Sequence, residues 1–218
     1  MRPLQGVGVI VGSLIFSSTA MAEILLTPNQ IMTWPTRSFD GETHYQIVEK
    51  DGANVLQAQS QGQASARYLE REIDLNETPY LHWCWQVDSI FPELDETSKA
   101  GDDYPARVYV ARKTGLLPWQ VESVNYVWSS TQDAGSTWTN AFTDRAELMA
   151  LQGGTSRMGE WVAEVRDIRA DFATLFGDSV TTIDGVALMS DGDNSGNNAT
   201  AWFSQLGFSA SEEPPTCP

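Results

Sequence analysis

From Leu81 to Val87 every second residue is large and apolar: Leu81, Trp83, Trp85 and Val87 alternate with His82, Cys84 and Gln86. Such a period of two buries one face only in a β-strand, because a helix would scatter the same residues around its axis. Val108 and Val110 alternate in the same way with Arg107, Tyr109 and Ala111, and Val124, Tyr126 and Trp128 with Ser123, Asn125 and Val127. Thr43 to Glu49, Val55 to Ser60 and Ala66 to Ile73 read as earlier strands, separated by turn signals at Asp51-Gly52 and Gly62. Ile183 to Ser190 and Ala199 to Phe208 read as the last two.

Helical signals are confined to two places. In Arg169 to Phe176 the residues Ala170, Phe172, Ala173 and Phe176 share one face, and Gly177 supplies a stop. Thr143 to Leu151, ended by Gly153-Gly154, is the second. Many short strands with turns between them imply a mainly β fold, a β-sandwich of jelly-roll type with one or two short helical insertions. There is no internal repeat or linker, so residues 23–210 are expected to form one domain. The Pro-rich residues 211–218 are expected to be a disordered tail.

The N-terminus carries a different signal. Met1-Arg2 is a short positive start, Val7 to Phe16 is an apolar run, and Ala20-Met21-Ala22 is a small-x-small cleavage site. This three-part pattern predicts a secretory signal peptide over residues 1–22. The apolar run is too short to span a bilayer, which takes about 20 residues, so no transmembrane anchor remains after cleavage. The expected location is periplasmic or secreted.

Charge narrows the partners. The chain holds 29 acidic and 13 basic residues, a formal net charge of −16. That balance excludes nucleic acid, whose binding needs clustered Lys and Arg, and it disfavours anionic membrane surfaces. Of the 2 cysteines, Cys84 lies in an aromatic strand and Cys217 in the Pro-rich tail. An oxidising compartment would permit a disulfide, but there is no framework of paired cysteines. The favoured reading is a buried Cys84 and a loose Cys217.

Little else in the chain has the chemistry of a site. Asp191-Gly192-Asp193-Asn194-Ser195-Gly196-Asn197-Asn198 sets carboxylates and side-chain amides between two strands. Asp191, Asp193 and Ser195 match the first half of an EF-hand loop, and calcium is the ion such oxygens would take. Trp202 stands where the closing Glu belongs, so a true EF-hand is excluded; a looser calcium turn and a plain polar hairpin loop both remain open. Asp102 and Asp103 precede a strand that carries Arg107, whose planar fork can hold a carboxylate in bidentate fashion. Among the 8 tryptophans, Trp83 and Trp85 read as core, whereas Trp119 and Trp138 are the candidate platforms for stacking on a sugar. The 2 histidines, His44 and His82, leave little material for imidazole catalysis, and His82 reads as packed.

The sequence also resembles a family. The segments Phe39-Asp40-Gly41-x-Thr43-x-Tyr45, Pro79-x-Leu81-x-Trp83-x-Trp85 and Gly101-Asp102-Asp103-Tyr104-x-Ala106-Arg107 are similar to those of exported bacterial proteins grouped as domain of unknown function 3047. So are Tyr126-x-Trp128, Trp161-x-x-Glu164-x-Arg166-Asp167, Asp171-Phe172 with Phe176-Gly177, and Asp191-Gly192-Asp193-Asn194. The resemblance spans roughly Phe39 to Phe208. It carries no activity, but it implies that the Asp102/Asp103/Arg107 and Asp191/Asp193/Asn194 segments are family motifs. This chain departs by having Gly192 and Ser195 where family members more often carry Thr; Gly192 is expected to loosen the loop. More distantly, the closing strand–loop–strand resembles galactose-binding-like jelly rolls, an analogy of fold only.

These readings converge on an exported, non-catalytic binding module for a glycan or cell-envelope component. Its expected ligand-binding residues are Asp102, Asp103, Arg107, Asp191, Asp193, Asn194, Trp119 and Trp138, with calcium at Asp191, Asp193 and Ser195 as the associated ion. Two alternatives stand beside it. One is a glycosidase-like hydrolase that pairs Asp102 or Asp103 with Asp191 or Asp193. The other is a structural or accessory envelope protein.

Overall fold

The structure, a computed structural model, describes residues 23–117 and 119–218. The expected signal peptide over residues 1–22 therefore lies outside the described residues. The strands are β1 (Glu23–Leu26), β2 (Thr36–Asp40), β3 (His44–Lys50), β4 (Ala53–Gln61), β5 (Ala64–Asp74), β6 (Tyr80–Val87), β7 (Ala106–Lys113) and β8 (Val121–Ser129). They continue with β9 (Thr137–Thr139), β10 (Ala146–Gly153), β11 (Val162–Asp167), β12 (Thr182–Asp191) and β13 (Asn198–Ser209). The two α-helices are α1 (Pro28–Met32) and α2 (Ile168–Phe176). No helix among the described residues is long and apolar enough to cross a membrane.

The strands form the expected sandwich of jelly-roll type. One sheet has the order β11-β6-β13-β4-β3 with β1 on β13, and the other has the order β2-β5-β12-β7-β8-β10-β9. The alternation in β6 and β8 explains how they meet. Trp83 and Trp85 point inward from one sheet, Tyr126 and Trp128 from the other. The ring centroids lie 5.4 Å apart for Trp83–Tyr126 and 6.0 Å for Trp85–Trp128. These aromatics are fully buried with Val108, Val110, Val186, Leu188 and Phe208 in one continuous core. Each large ring removed from water contributes on the order of 2–3 kcal/mol, so this layer is a principal hold between the sheets.

Three sequence expectations need correction. Thr143 to Leu151 is not helical: its second half lies in β10, which runs parallel to β8 and antiparallel to β9. Neighbouring strands override the local helical signal there, since Leu148 and Ala150 pack on Tyr104 and Val127. Helix α2 forms as expected and ends at Gly177 in the left-handed region, φ 75°. It buries Ile168, Asp171 and Phe172, however, and leaves Ala170 and Ala173 exposed. Asp171 tolerates burial because it accepts the Tyr126 hydroxyl at 2.7 Å and pairs with Arg166.

The cysteines are the third correction. Cys84 and Cys217 are bonded, with Cα atoms 5.7 Å apart across a sequence separation of 133. The pairing was missed because the two residues meet only after β6 and the tail are laid side by side. Residues 211–218 carry no helix or strand. They are held by this bond and by His82 Nε2, 2.8 Å from the Ser211 carbonyl oxygen. His82 is thus a packed residue, and burial lowers its pKa.

Candidate functional site

The acidic loop is a corner between the sheets, not a hairpin within one: β12 belongs to the seven-stranded sheet and β13 to the six-stranded one. The segment that carries Asp102 and Asp103 makes the reverse crossing, from β6 to β7. Both corners lie at the same end of the sandwich, and Asp103 joins them. Its carboxylate accepts the backbone N–H of Asn194 at 3.1 Å, the Asn194 amide at 3.1 Å and the backbone N–H of Ser195 at 2.6 Å.

Arg107 and Asp191 face outward from neighbouring antiparallel strands, β7 and β12, which sets them within reach. Arg107 Nη1 donates to Asp191 Oδ2 at 2.7 Å, and Nη2 to Asp102 Oδ1 at 3.4 Å. The guanidinium is flanked by Tyr104 and Tyr109, their ring centroids 4.5 and 5.4 Å from Cζ. Asp102 Oδ2 also accepts the Asn140 amide at 2.8 Å, and Asp191 Oδ1 the Tyr104 backbone N–H at 3.3 Å. Burial is the largest influence on Asp191. With Asp102, Asp103 and Asp193 nearby it pushes the carboxyl up to about 8, against the pull of Arg107. Burial also raises Asp193, which is only part-buried.

The expected ion ligands are rearranged. Carboxylate oxygens of Asp103, Asp191 and Asp193 come within 4.8 Å of one another. Ser195 is engaged elsewhere, its Oγ accepting the Asn197 backbone N–H at 3.4 Å and side-chain amide at 3.0 Å. Two of the three carboxylates already accept internal donors, and Asp193 is the least engaged of them. Gly192 does not loosen the loop. A Cβ there would collide with the Asn197 carbonyl oxygen, so the glycine lets the two sides of the corner close on each other.

This cluster stands at one end of a groove of about 1170 Å³ on the outer face of the seven-stranded sheet. The groove has a floor of small residues, Ala64, Ala66, Ala111, Gly185 and Ala187, together with Tyr109 and Asn125. Its far end is the β7–β8 hairpin, where Leu116 is 102 % and Trp119 68 % exposed. Phe39 on β2 and Phe142 after β9 stand exposed on its walls. Trp119 is therefore exposed at the rim of the groove. Trp138 is not: it is part-buried, its ring 6.2 Å from that of Tyr104, and it does not line the groove.

Sequence reading missed Asn140, Tyr109, Phe39 and Phe142. The available signal was the non-core face of the alternating strands, where Ala and Gly recur at positions that large residues would fill.

A family model described as "Protein of unknown function (DUF3047)" matches residues 32–207. No curated protein matches the chain. Among solved structures, the xyloglucanase domain of NopAA from Sinorhizobium fredii is 10% identical, with 81% of this chain and 92% of that chain covered and a TM-score of 0.44. The xylan-binding module CBM86 from Roseburia intestinalis is 12% identical, with 89% and 96% covered and a TM-score of 0.35. The glycoside hydrolase domain of Endo-D from Streptococcus pneumoniae R6 is 15% identical, with 84% of this chain covered and a TM-score of 0.39, but this chain spans only 22% of that one. These are likenesses of sandwich architecture and carry nothing further.

Proposed function

The chain belongs to the DUF3047 family, a membership that supplies no activity, and from the geometry of the groove we propose that it is an exported, non-catalytic glycan-binding protein. The observation that carries this reading is the groove itself. It is open, larger than the roughly 300–1,000 Å³ of a drug-sized pocket, floored by small side chains and flanked by exposed aromatic rings, with amides and carboxylates at one end. Flat apolar rings beside convergent hydrogen-bonding groups suit a molecule that is apolar on its ring faces and polar at its edges, which describes a pyranose. Export rests on the N-terminal three-part pattern, and the Cys84–Cys217 bond accords with an oxidising compartment.

The hydrolase reading is weaker on this geometry. A glycosidase needs one carboxyl group free to give a proton and another free to attack or to activate water. Here Asp103 is bound by the amides of the opposite corner and Asp191 by Arg107 and Tyr104. Along the middle of the floor, among the described residues, Tyr109, Ala111, Asn125 and Ala187 provide no such pair.

The test is binding of the chain lacking residues 1–22 to a glycan array and to insoluble cell-envelope polysaccharide. The Trp119→Ala variant is expected to bind about fivefold more weakly, or weaker still, with unchanged melting, since Trp119 is exposed and a lost stacking platform is worth about 1 kcal/mol or more. Absence of binding to every glycan tested would falsify the proposal.

A further inference from the structure

The groove differs in charge from the molecule that carries it. Its basic lining residues are Arg37, Arg107, Arg112, Lys113 and Arg145. Its acidic ones are Glu70, Asp102, Asp184, Asp191 and Asp193. Five face five, in a chain whose formal net charge is −16. The balance survives when internal pairs are removed. Arg107 is spent on Asp102 and Asp191, Lys113 on Glu70, and Arg112 on Glu122 and Asp178. Among the described residues, Arg37 and Arg145 on opposite walls, and Asp184 and Asp193 at opposite ends, make no ion pair. Two charges of each sign thus remain, separated by the breadth and length of the groove.

Neutral polar groups line the groove as well. Tyr109 Oη has Met189 Sδ as its partner at 3.1 Å, a weak acceptor that leaves the hydroxyl's own acceptor capacity unused. Asn140 and Asn194 donate amide hydrogens to Asp102, at its Oδ2 and its backbone oxygen, and offer a ligand only the capacity those bonds leave over. From Arg107 to Lys113 the floor strand runs roughly 20 Å at ~3.3 Å per residue. That is a path for several sugar units, not one.

We propose that the groove takes an extended, uncharged oligosaccharide laid along β7, with one end against the Asp102–Asn140–Asn194 corner and the other against Trp119. The proposal rests on the glycan reading above and adds charge class, length and direction to it. A polyanionic chain such as a polyuronate would meet the net negative field of the whole molecule without a compensating basic track. A polycationic one would be drawn to the molecule's acidic surface in general and would gain nothing in particular from a balanced groove.

The experiment is calorimetric titration of the chain lacking residues 1–22 with three sets of oligomers, from one to six units long. One set is neutral (cello-, xylo- and malto-oligosaccharides), one anionic (oligogalacturonates) and one cationic (chitosan oligomers). The expected result is binding of a neutral series that tightens at least tenfold from one unit to four and changes less than twofold between 50 and 300 mM salt. The Ala187→Trp variant, which puts a ring on the floor without touching the acidic corner, should lose at least tenfold for the longer oligomers while its melting temperature holds. Tighter binding of a charged set, a steep salt dependence, or equal affinity for one unit and six would overturn the neutral-chain proposal and leave the glycan reading standing. Binding by none of the three sets would overturn both.

Discussion

At the scale of single residues, Asp191 carries the clearest consequence. Its proton leaves near 3.8 in the unfolded chain and is held up to about 8 in the folded one. Between those values the native state binds a proton that the unfolded state has released. The contribution is therefore fully present below about pH 4 and lost as the pH rises towards 8. The midpoint of urea unfolding is expected to fall from pH 5 to pH 8.5, and the Asp191→Asn variant should show a shallower fall. Equal pH slopes in the two proteins would sink this account. The sequence made Asp191 legible as a site residue because acids and amides are dense around it. Its role was not legible. Only the fold brings Arg107 and Tyr104 onto its two oxygens, and Asp103 onto the N–H groups of Asn194 and Ser195.

At the scale of elements, alternating strands were readable and short or shielded ones were not. Strands β3 to β8, β12 and β13 all coincide with segments read as strands, and in β6, β7 and β8 the period of two is explicit. The three-residue β9 is too short to show any period. Strand β10 is half-buried along most of its length, between β8 and β9, so its Ala146 to Gly153 sequence lacks clean alternation. Helix α1 had a signal in plain view. Thr27 and Gln30 form a reciprocal capping box around Pro28, with the Thr27 backbone N–H donating to Gln30 Oε1 at 2.8 Å. In α2 the corresponding device is Asp167, whose Oδ1 accepts the backbone N–H groups of Arg169 and Ala170 at 3.0 and 3.2 Å. Asp167→Ala is expected to cost about 1 kcal/mol in equilibrium unfolding. A change within a few tenths of zero would mean that packing of Phe172, and not the cap, holds the helix start.

At the scale of the whole molecule, the Cys84–Cys217 bond closes most of the chain into one loop. With a separation of 133 residues, the loss of unfolded-state freedom corresponds to about 5 kcal/mol. Reduction, or a Cys84→Ser change, should lower the thermal midpoint by well over 5 °C. A shift of 1 °C or less would show that the cross-link adds nothing the sandwich does not already supply. The groove is the part of the whole that sequence reading could not assemble. It is defined by what is missing from a face, the side chains of Ala111, Gly185 and Ala187, and by walls that come from β2 and from the segment after β9.

The order of the six-stranded sheet has a consequence for how the protein is made. β13 sits between β6 and β4 and also receives β1 on its edge. The sheet's central strand is thus the last of the strands that synthesis delivers. While residues 198–209 are still within the ribosome, β6 and β4 have no partner between them and the core lacks Phe203, Leu206 and Phe208. The nascent chain stays open until that segment emerges, so the sheet closes only once its central strand is free to insert.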